Sequence, residues 1–227
     1  MSGTRRLIVA IDGPAGAGKS TVAGRLAAHF GLLNLETGAM YRAFALKVIE
    51  KGIAPDNTAA LEQLADVTSI TLVPTPSGNQ VLLDGDDVTA RIREAAVTQA
   101  ASQVSVHPPI RRWMVDLQRK LGEKGGVVME GRDIGTIVFP DADIKVFLDA
   151  SPEARGERRY EQSGKRAPQE AILKEIRERD HRDRNREQSP LKPAPDAVVI
   201  DSTNLTLDEV VGKVQELVTA RLAAQGH

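Results

Sequence analysis

The stretch Gly13-Pro14-Ala15-Gly16-Ala17-Gly18-Lys19-Ser20 constrains this chain more than any other, because it follows a short apolar run, residues 7–11, and leads into a segment of helical periodicity. Glycines let the backbone curl so that successive N–H groups point into one concavity, and the positive end of a helix starting near Lys19 adds to it. The spacing reads as a phosphate-binding loop. Lys19 would reach the outer phosphates, and the Ser20 hydroxyl would ligate Mg²⁺, which takes hard oxygen ligands and shares them with phosphate. A plain strand-to-helix turn would need neither Lys19 nor Ser20. The expected ligand is a nucleoside triphosphate, held by Gly13 through Thr21.

The loop also sets the architecture. Residues 21–30 repeat apolar side chains at helical spacing (Val22, Leu26, Ala27, Phe30) and end at Gly31, and residues 32–36 read as a strand. Strand, loop, helix, strand opens a parallel α/β sheet with right-handed crossovers. Helical patterns follow at residues 39–51, at 95–106 and on to Leu121, with a break at Pro108-Pro109. Buried strands are expected at 127–129, 144–148 and 197–200, and an amphipathic helix at 207–222. That gives five parallel strands. In between, Ile70, Leu72, Val81 and Leu83 alternate around Pro76-Ser77-Gly78-Asn79, the pattern of an antiparallel hairpin. It is either a substrate lobe or a surface decoration.

Composition narrows the function classes. With 41% hydrophobic and 27% charged residues the chain is that of a soluble globular protein, and its 227 residues suit one domain carrying an insertion. Residues 7–11 are too short for a signal or membrane segment, so a cytoplasmic location is expected. The absence of cysteine removes disulfides, zinc ribbons and thiol nucleophiles. A net charge of −1 and only 3% aromatic residues speak against a nucleic-acid partner. A GTP-regulated switch would carry an Asn-Lys-x-Asp segment, and none occurs.

Open α/β sheets bind ligands beyond the carboxyl ends of their strands. After Leu35 come Glu36-Thr37-Gly38 and then Arg42. After Met129 come Glu130-Gly131-Arg132-Asp133. Arg132 alone could be a surface residue in a turn, but it sits at the site-facing end of a central strand. The run from Arg177 to Arg186, RERDHRDRNR, could be a solvated helix laced with ion pairs. Yet all its basic residues but His181 are arginine, the side chain suited to bidentate grip on phosphate, and Arg179, Asp183 and Arg186 share one helical face. Ser151-Pro152-Glu153 marks a helix start followed by Arg155, Arg158 and Arg159, a candidate lid over about 152–167 that brings arginine over the triphosphate. His29, His107 and His181 read as structural or solvent-facing, and His227 ends the sequence.

Taken together, GPAGAGKST at 13–21, TGAMYR at 37–42, ASQVS at 101–105, GRDIGTIVFPDA at 131–142 and RDRNR at 182–186 make the chain resemble the bacterial-type cytidylate kinases, a family of nucleoside monophosphate kinases. The resemblance spans nearly the whole length. It implies a five-stranded parallel P-loop kinase core from 1–38 and 107–227 with a helical lid. The inserted monophosphate-binding lobe over 39–106 would carry a small antiparallel sheet. It implies transfer from MgATP to CMP and dCMP, less readily to UMP, by a monomer in pyrimidine nucleotide metabolism. Carried over by position, Ser102, Arg111 and Asp133 read the cytosine edge, and Arg42, Arg132 and Arg186 hold its phosphate. Arg179 and Asp183 meet the ribose, and Thr37 joins the acceptor site. Lys19, Arg132 and Arg186 would act on the transferring group, with Arg155 and Arg158 on ATP. Glu36 and Glu130 stand where the family usually has Asp, keeping the charge on a longer arm. Another small-molecule kinase of similar fold remains the nearest alternative.

Overall fold

The structure, a computed structural model, describes residues 6–75 and 78–224. Strand β1 (Ile8–Asp12) is buried along its whole length because both its faces are covered, which explains its unbroken apolar run. Helix α1 (Lys19–Phe30), strand β2 (Leu33–Glu36) and helix α2 (Thr37–Glu50) follow in the predicted order. Helix α3 (Thr58–Asp66), which the periodicity reading passes over, is capped by Asn57 Oδ1 accepting from Ala60 N at 3.1 Å and buries Leu61 and Leu64.

Strands β3 (Ile70–Thr75), β4 (Gly78–Leu83) and the two-residue β5 (Asp86–Asp87) form a separate antiparallel sheet. Ile70 lies opposite Leu83 and Leu72 opposite Val81, so the alternation read from the sequence is the buried face of the hairpin. Pro76 and Ser77, half of the predicted turn, lie outside the described residues, as does His227. Helices α4 (Ala95–Val104) and α5 (Pro108–Gly122) are divided where the proline pair stands, with both prolines in the first turn of α5, where the missing N–H costs nothing.

Strand β6 (Val127–Gly131), strand β7 (Ile144–Asp149), helices α6 (Pro152–Gln162) and α7 (Gln169–Asn185), strand β8 (Val198–Asp201) and helix α8 (Leu207–Ala224) complete the chain. The large sheet has the order β2-β6-β1-β7-β8, all parallel. Every predicted parallel strand is present, within two residues of the expected ends.

Alternate residues of β1 feed two cores. Ile8 and Ala10 pack with Met40, Phe44 and Met114 from α2 and α5 and with the buried face of the small sheet. Val9 and Ile11 pack with Val22 and Leu26 of α1 and Val214 of α8. The central strand is thus clamped from both sides, and its carboxyl end, where the glycine loop begins, is fixed in place. His107 is structural, as expected: its ring nitrogens lie 2.8 Å from Thr58 Oγ1 and 2.8 Å from Pro55 O, tying α5 to α3. His29 and His181 are exposed.

The turn out of β1 depends on a bare backbone. Gly13 has φ 147°, and a Cβ there would meet the Leu148 carbonyl oxygen of β7 at 2.0 Å. Gly13→Ala should therefore lower stability by roughly 3–5 kcal/mol, the range of strained backbone plus steric conflict in a core. Urea unfolding measures it, and a loss under about 1 kcal/mol would contradict this reading.

Candidate active site

Three strand ends converge on one cleft of about 580 Å³. From β1 comes the glycine loop. Gly18 caps α1 in the left-handed region, φ 94°, with no side-chain cap, so the first amides of α1 stay available to an anion. Lys19, 5% exposed, folds back to donate from Nζ to the Pro14 carbonyl at 2.8 Å and lies 4.0 Å from Glu130 Oε2. Burial, then the positive charge of Arg132, lower its pKa to about 7 against the pull of Glu130. Ser20 Oγ donates to Glu130 Oε1 at 2.9 Å. A hydroxyl and a carboxylate, both hard oxygen donors, thus meet beside the loop, a donor set that fits Mg²⁺ shared with phosphate.

From β2 and β6 come neighbouring ends, Glu36 beside Glu130 in register. Thr37 Oγ1 donates to the Glu130 carbonyl at 2.8 Å, which fixes the start of α2 to the end of β6. Arg42, one turn along α2, is held by the Glu36 carboxylate. Beyond Gly131, Arg132 donates from Nε to Asp183 Oδ2 at 2.9 Å, while Arg111 Nη2 donates to Asp133 Oδ2 at 2.5 Å.

The face of α7 predicted from i, i+4, i+7 spacing points into this cleft. Asp183 sits among Arg132, Arg179 and Arg186; burial alone would raise its pKa, and those three charges outweigh it and bring it below the usual carboxylate range. Arg179 is pushed down to about 10 by burial and by Arg132, with Arg42 and Arg159 adding to the repulsion. Buried Arg179 Nε and Arg186 Nη2 have no hydrogen-bond partner among the described residues, nor do Arg111 Nε and the Tyr41 hydroxyl. Orphan buried donors beside gathered positive charge are what an anion site looks like before its anion arrives.

The cations fall into two groups. Lys19, Arg132, Arg179 and Arg42 influence one another at the loop end of the cleft. Arg111, Arg186, Asp133 and Tyr41 gather at the other end, with the Arg111 guanidinium 5.7 Å from the centre of the Tyr41 ring. Asp183 bridges them.

A profile of the cytidylate kinase family matches residues 9–220. The chain belongs to that family. It is 49% identical over 221 residues to a cytidylate kinase of Geobacillus kaustophilus, covering 96% of this chain and 99% of the relative. With one from Pelotomaculum thermopropionicum it shares 50% over 220 residues, 95% of this chain and 96% of that one. A solved structure of an uncharacterized protein from Eubacterium ventriosum has a TM-score of 0.53 at 14% identity, covering 94% of this chain and 99% of that one, and speaks to fold alone. The chain is a kinase of the nucleoside monophosphate class.

In this member of the cytidylate kinase family, Lys19, Ser20, Thr37, Arg42, Arg111, Arg132, Asp133, Arg179, Asp183 and Arg186 all line the cleft, together with Ala15 and Gly16. Ser102 is buried behind it, and its Oγ accepts from Arg182 Nε at 3.1 Å; Ser105 of the same segment lines the cleft, with its carbonyl accepting from Arg111 Nη1 at 3.1 Å. Arg155 is 1% exposed and fully engaged, donating to Ala150 O, to the loop carbonyl of Ala15 at 3.0 Å and to both oxygens of Asp180. Its guanidinium braces the loop from behind. Arg158 donates to Ser202 Oγ at 3.1 Å and to its carbonyl at 2.5 Å, so Arg159 is the arginine of α6 that lines the cleft.

Two residues of the site escape the motif reading. Tyr41 lies inside TGAMYR but reads as a helix residue. Asp12, 4% exposed, accepts from Ile134 N at 2.8 Å and from Gly135 N at 2.7 Å, and burial raises its pKa to about 7 in spite of those two amides. Its position at the carboxyl end of β1 is the signal that could have found it.

The lowered pKa of Lys19 has a measurable sign. In the free enzyme Lys19 sheds its proton as pH rises through about 7, well before an unburied lysine at 10.5 would. A triphosphate restores the charge. Nucleotide binding at pH 8 should then take up a sizeable fraction of about one proton, fading below about pH 6 where Lys19 is already charged. Titration calorimetry in two buffers of different ionisation enthalpy reads this uptake, and the same uptake in Lys19→Met would refute the assignment.

Proposed function

We propose that this enzyme transfers the γ-phosphoryl group of MgATP to CMP or dCMP, giving ADP and CDP or dCDP, as a cytoplasmic monomer of pyrimidine nucleotide metabolism. One observation carries the reading: orphan arginine donors and Lys19 converge on the same cleft as the uncapped helix start, while a carboxylate–guanidinium pair, Asp133 with Arg111, closes its other end. Phosphoryl transfer asks little beyond alignment and neutralisation of charge, which such a set of fixed cations supplies.

Residues 13–21 cradle the triphosphate of ATP by backbone amides, with Lys19 leaving the Pro14 carbonyl for the outer phosphates. Ser20 and Glu130 would hold Mg²⁺, whose charge offsets that of the phosphate oxygens. Arg132, Arg179 and Arg42 grip the phosphates at the loop end, and Arg186 closes on the acceptor from the Asp183 side. The acceptor oxygen is a phosphate oxygen already ionised near neutral pH, so no general base is needed. The segment 39–106 acts as the acceptor lobe and 152–167 as the lid, excluding water that would otherwise hydrolyse ATP.

Asp133 and Arg111 read the base. Cytosine offers an amino donor that a carboxylate accepts, where uracil presents a carbonyl that it repels, and Arg111 supplies donors for N3 and O2. Asp133→Asn should lower the preference for CMP over UMP by about 1–3 kcal/mol in relative kcat/KM, the worth of a good polar contact to a base edge. Competition of the two acceptors for MgATP measures it. If the preference holds while both rates fall together, the base is read elsewhere. In parallel, Lys19→Met should cut turnover on the order of 10²-fold or more without lowering the urea midpoint, since a buried cation is removed. Near-normal turnover would refute the role of the loop.

A further inference from the structure

The acceptor-facing loop after β6 is held in an unusual way. Asp133 occupies the position that opens the helical turn Ile134–Val138, where an aspartate ordinarily accepts from the first free amides, yet it makes no such bond. Its carboxylate is committed to Arg111. The free amides of the turn, Ile134 N and Gly135 N, donate instead to the two oxygens of Asp12, 122 and 123 residues away in sequence.

Both carboxylates are thus candidates for one amide, Gly135 N, the second of the turn, which an aspartate at position 133 would ordinarily take and which Asp12 holds. We propose that Asp12 is a positioning residue for acceptor choice: by capping the turn from β1 it leaves Asp133 free to pair with Arg111 and face the base. Without Asp12, the side chain of Asp133 is the nearest alternative cap, and turning toward its own turn would take it from Arg111 and from the acceptor. The same carboxylate stands next to Gly13, so the strand that launches the ATP loop also sets the acceptor loop. This inference rests on the reading of Asp133 as the base-reading residue.

The test is a cycle of Asp12→Asn, Asp133→Asn and the double variant in the full chain, each compared by the ratio of kcat/KM for CMP and UMP with MgATP. The ratio cancels any effect on ATP or on Lys19 common to both acceptors. An asparagine at position 12 offers one oxygen to two amides, so Asp12→Asn should lower the ratio about 10-fold and add nothing once Asp133 is replaced. Faster hydrogen exchange at Ile134 and Gly135 should accompany it. An unchanged ratio in a folded Asp12→Asn protein with faster exchange would overturn the proposal, leaving Asp12 a structural tie. A further fall in the Asp133→Asn background would overturn it as well, since Asp12 would then act by another route. An unchanged ratio in Asp133→Asn alone would remove the underlying base-reading assignment, an outcome distinct from either. Should Asp12→Asn fail to fold, Asp12→Glu keeps the charge but moves the carboxylate on a longer arm away from the two amides, and the same fall in ratio is expected.

Discussion

Everything in this molecule bends to the difficulty of keeping many positive charges together before a polyanion arrives. The cleft is lined by eight Lys and Arg residues against four Asp and Glu, four positive charges in excess, although the whole chain carries −1. Burying a cation without a partner is expensive, and burying several side by side adds mutual repulsion. The four carboxylates meet this by single-edge contacts. Asp183 takes Arg132 through Nε, Asp133 takes Arg111 through one Nη, Glu36 takes Arg42, and Glu130 stands near Lys19 while accepting from Ser20. Arg132, Arg111, Arg42 and Lys19 are held in this way, and Arg111 still keeps Nε unused. What remains, at Arg179 Nε and Arg186 Nη2, is a store of unsatisfied donors that a phosphate relieves.

That arrangement needs rigid mounts, and the fold supplies them. β1 is gripped by both cores, so the loop at its end does not drift. Arg155 adds a second hold by donating to the Ala15 carbonyl from behind, with Asp180 neutralising it on both oxygens. A bidentate buried pair of this kind is weak evidence for stability, since desolvation offsets much of its attraction. Its use here is geometric: it ties the glycine loop to α6 and α7 at once, linking the donor site to the two helices that carry Arg159 and Arg179.

Much of this was legible in the sequence. Strand ends, helix order and hairpin register follow from apolar periodicity, because burial on one or both faces dictates it, and the rule that ligands sit beyond strand ends picked Arg42, Arg132 and Asp133. Helix α3 was passed over because it is short and lies between turn-rich segments, although Asn57 followed by Leu61 and Leu64 carried its signature. Asp12 was hidden for another reason. Its partners are backbone amides 122 and 123 residues distant, and no side-chain pattern records them. The arginines of α6 show the same limit, because sequence places Arg155, Arg158 and Arg159 together on that helix, whereas which of them meets carbonyls and which meets the cleft depends on how α6 leans on α7 and on Ser202.

The arginine run of α7 shows why residue type carried more information there than charge. Taken as a charge pattern it is a solvated helix, and one member behaves so: Arg177 pairs with Glu153 at 2.8 Å, both well exposed. The others divide by direction. Arg179 and Arg186 enter the cleft, Arg182 reaches Ser102 on α4, and Arg184 lies 3.6 Å from Asp149 at the end of β7. A lysine offers one terminal group, whereas arginine can bond through Nε on one side and keep its Nη groups for another partner. Arg132 does this between Asp183 and the Gly131 carbonyl, and Arg186 does so between Ser189 and an open donor. A helix that must touch α6, α4 and the end of β7, and still present free donors to the cleft, requires that divided geometry, so the choice of arginine follows from the number of directions in which the helix has to bind.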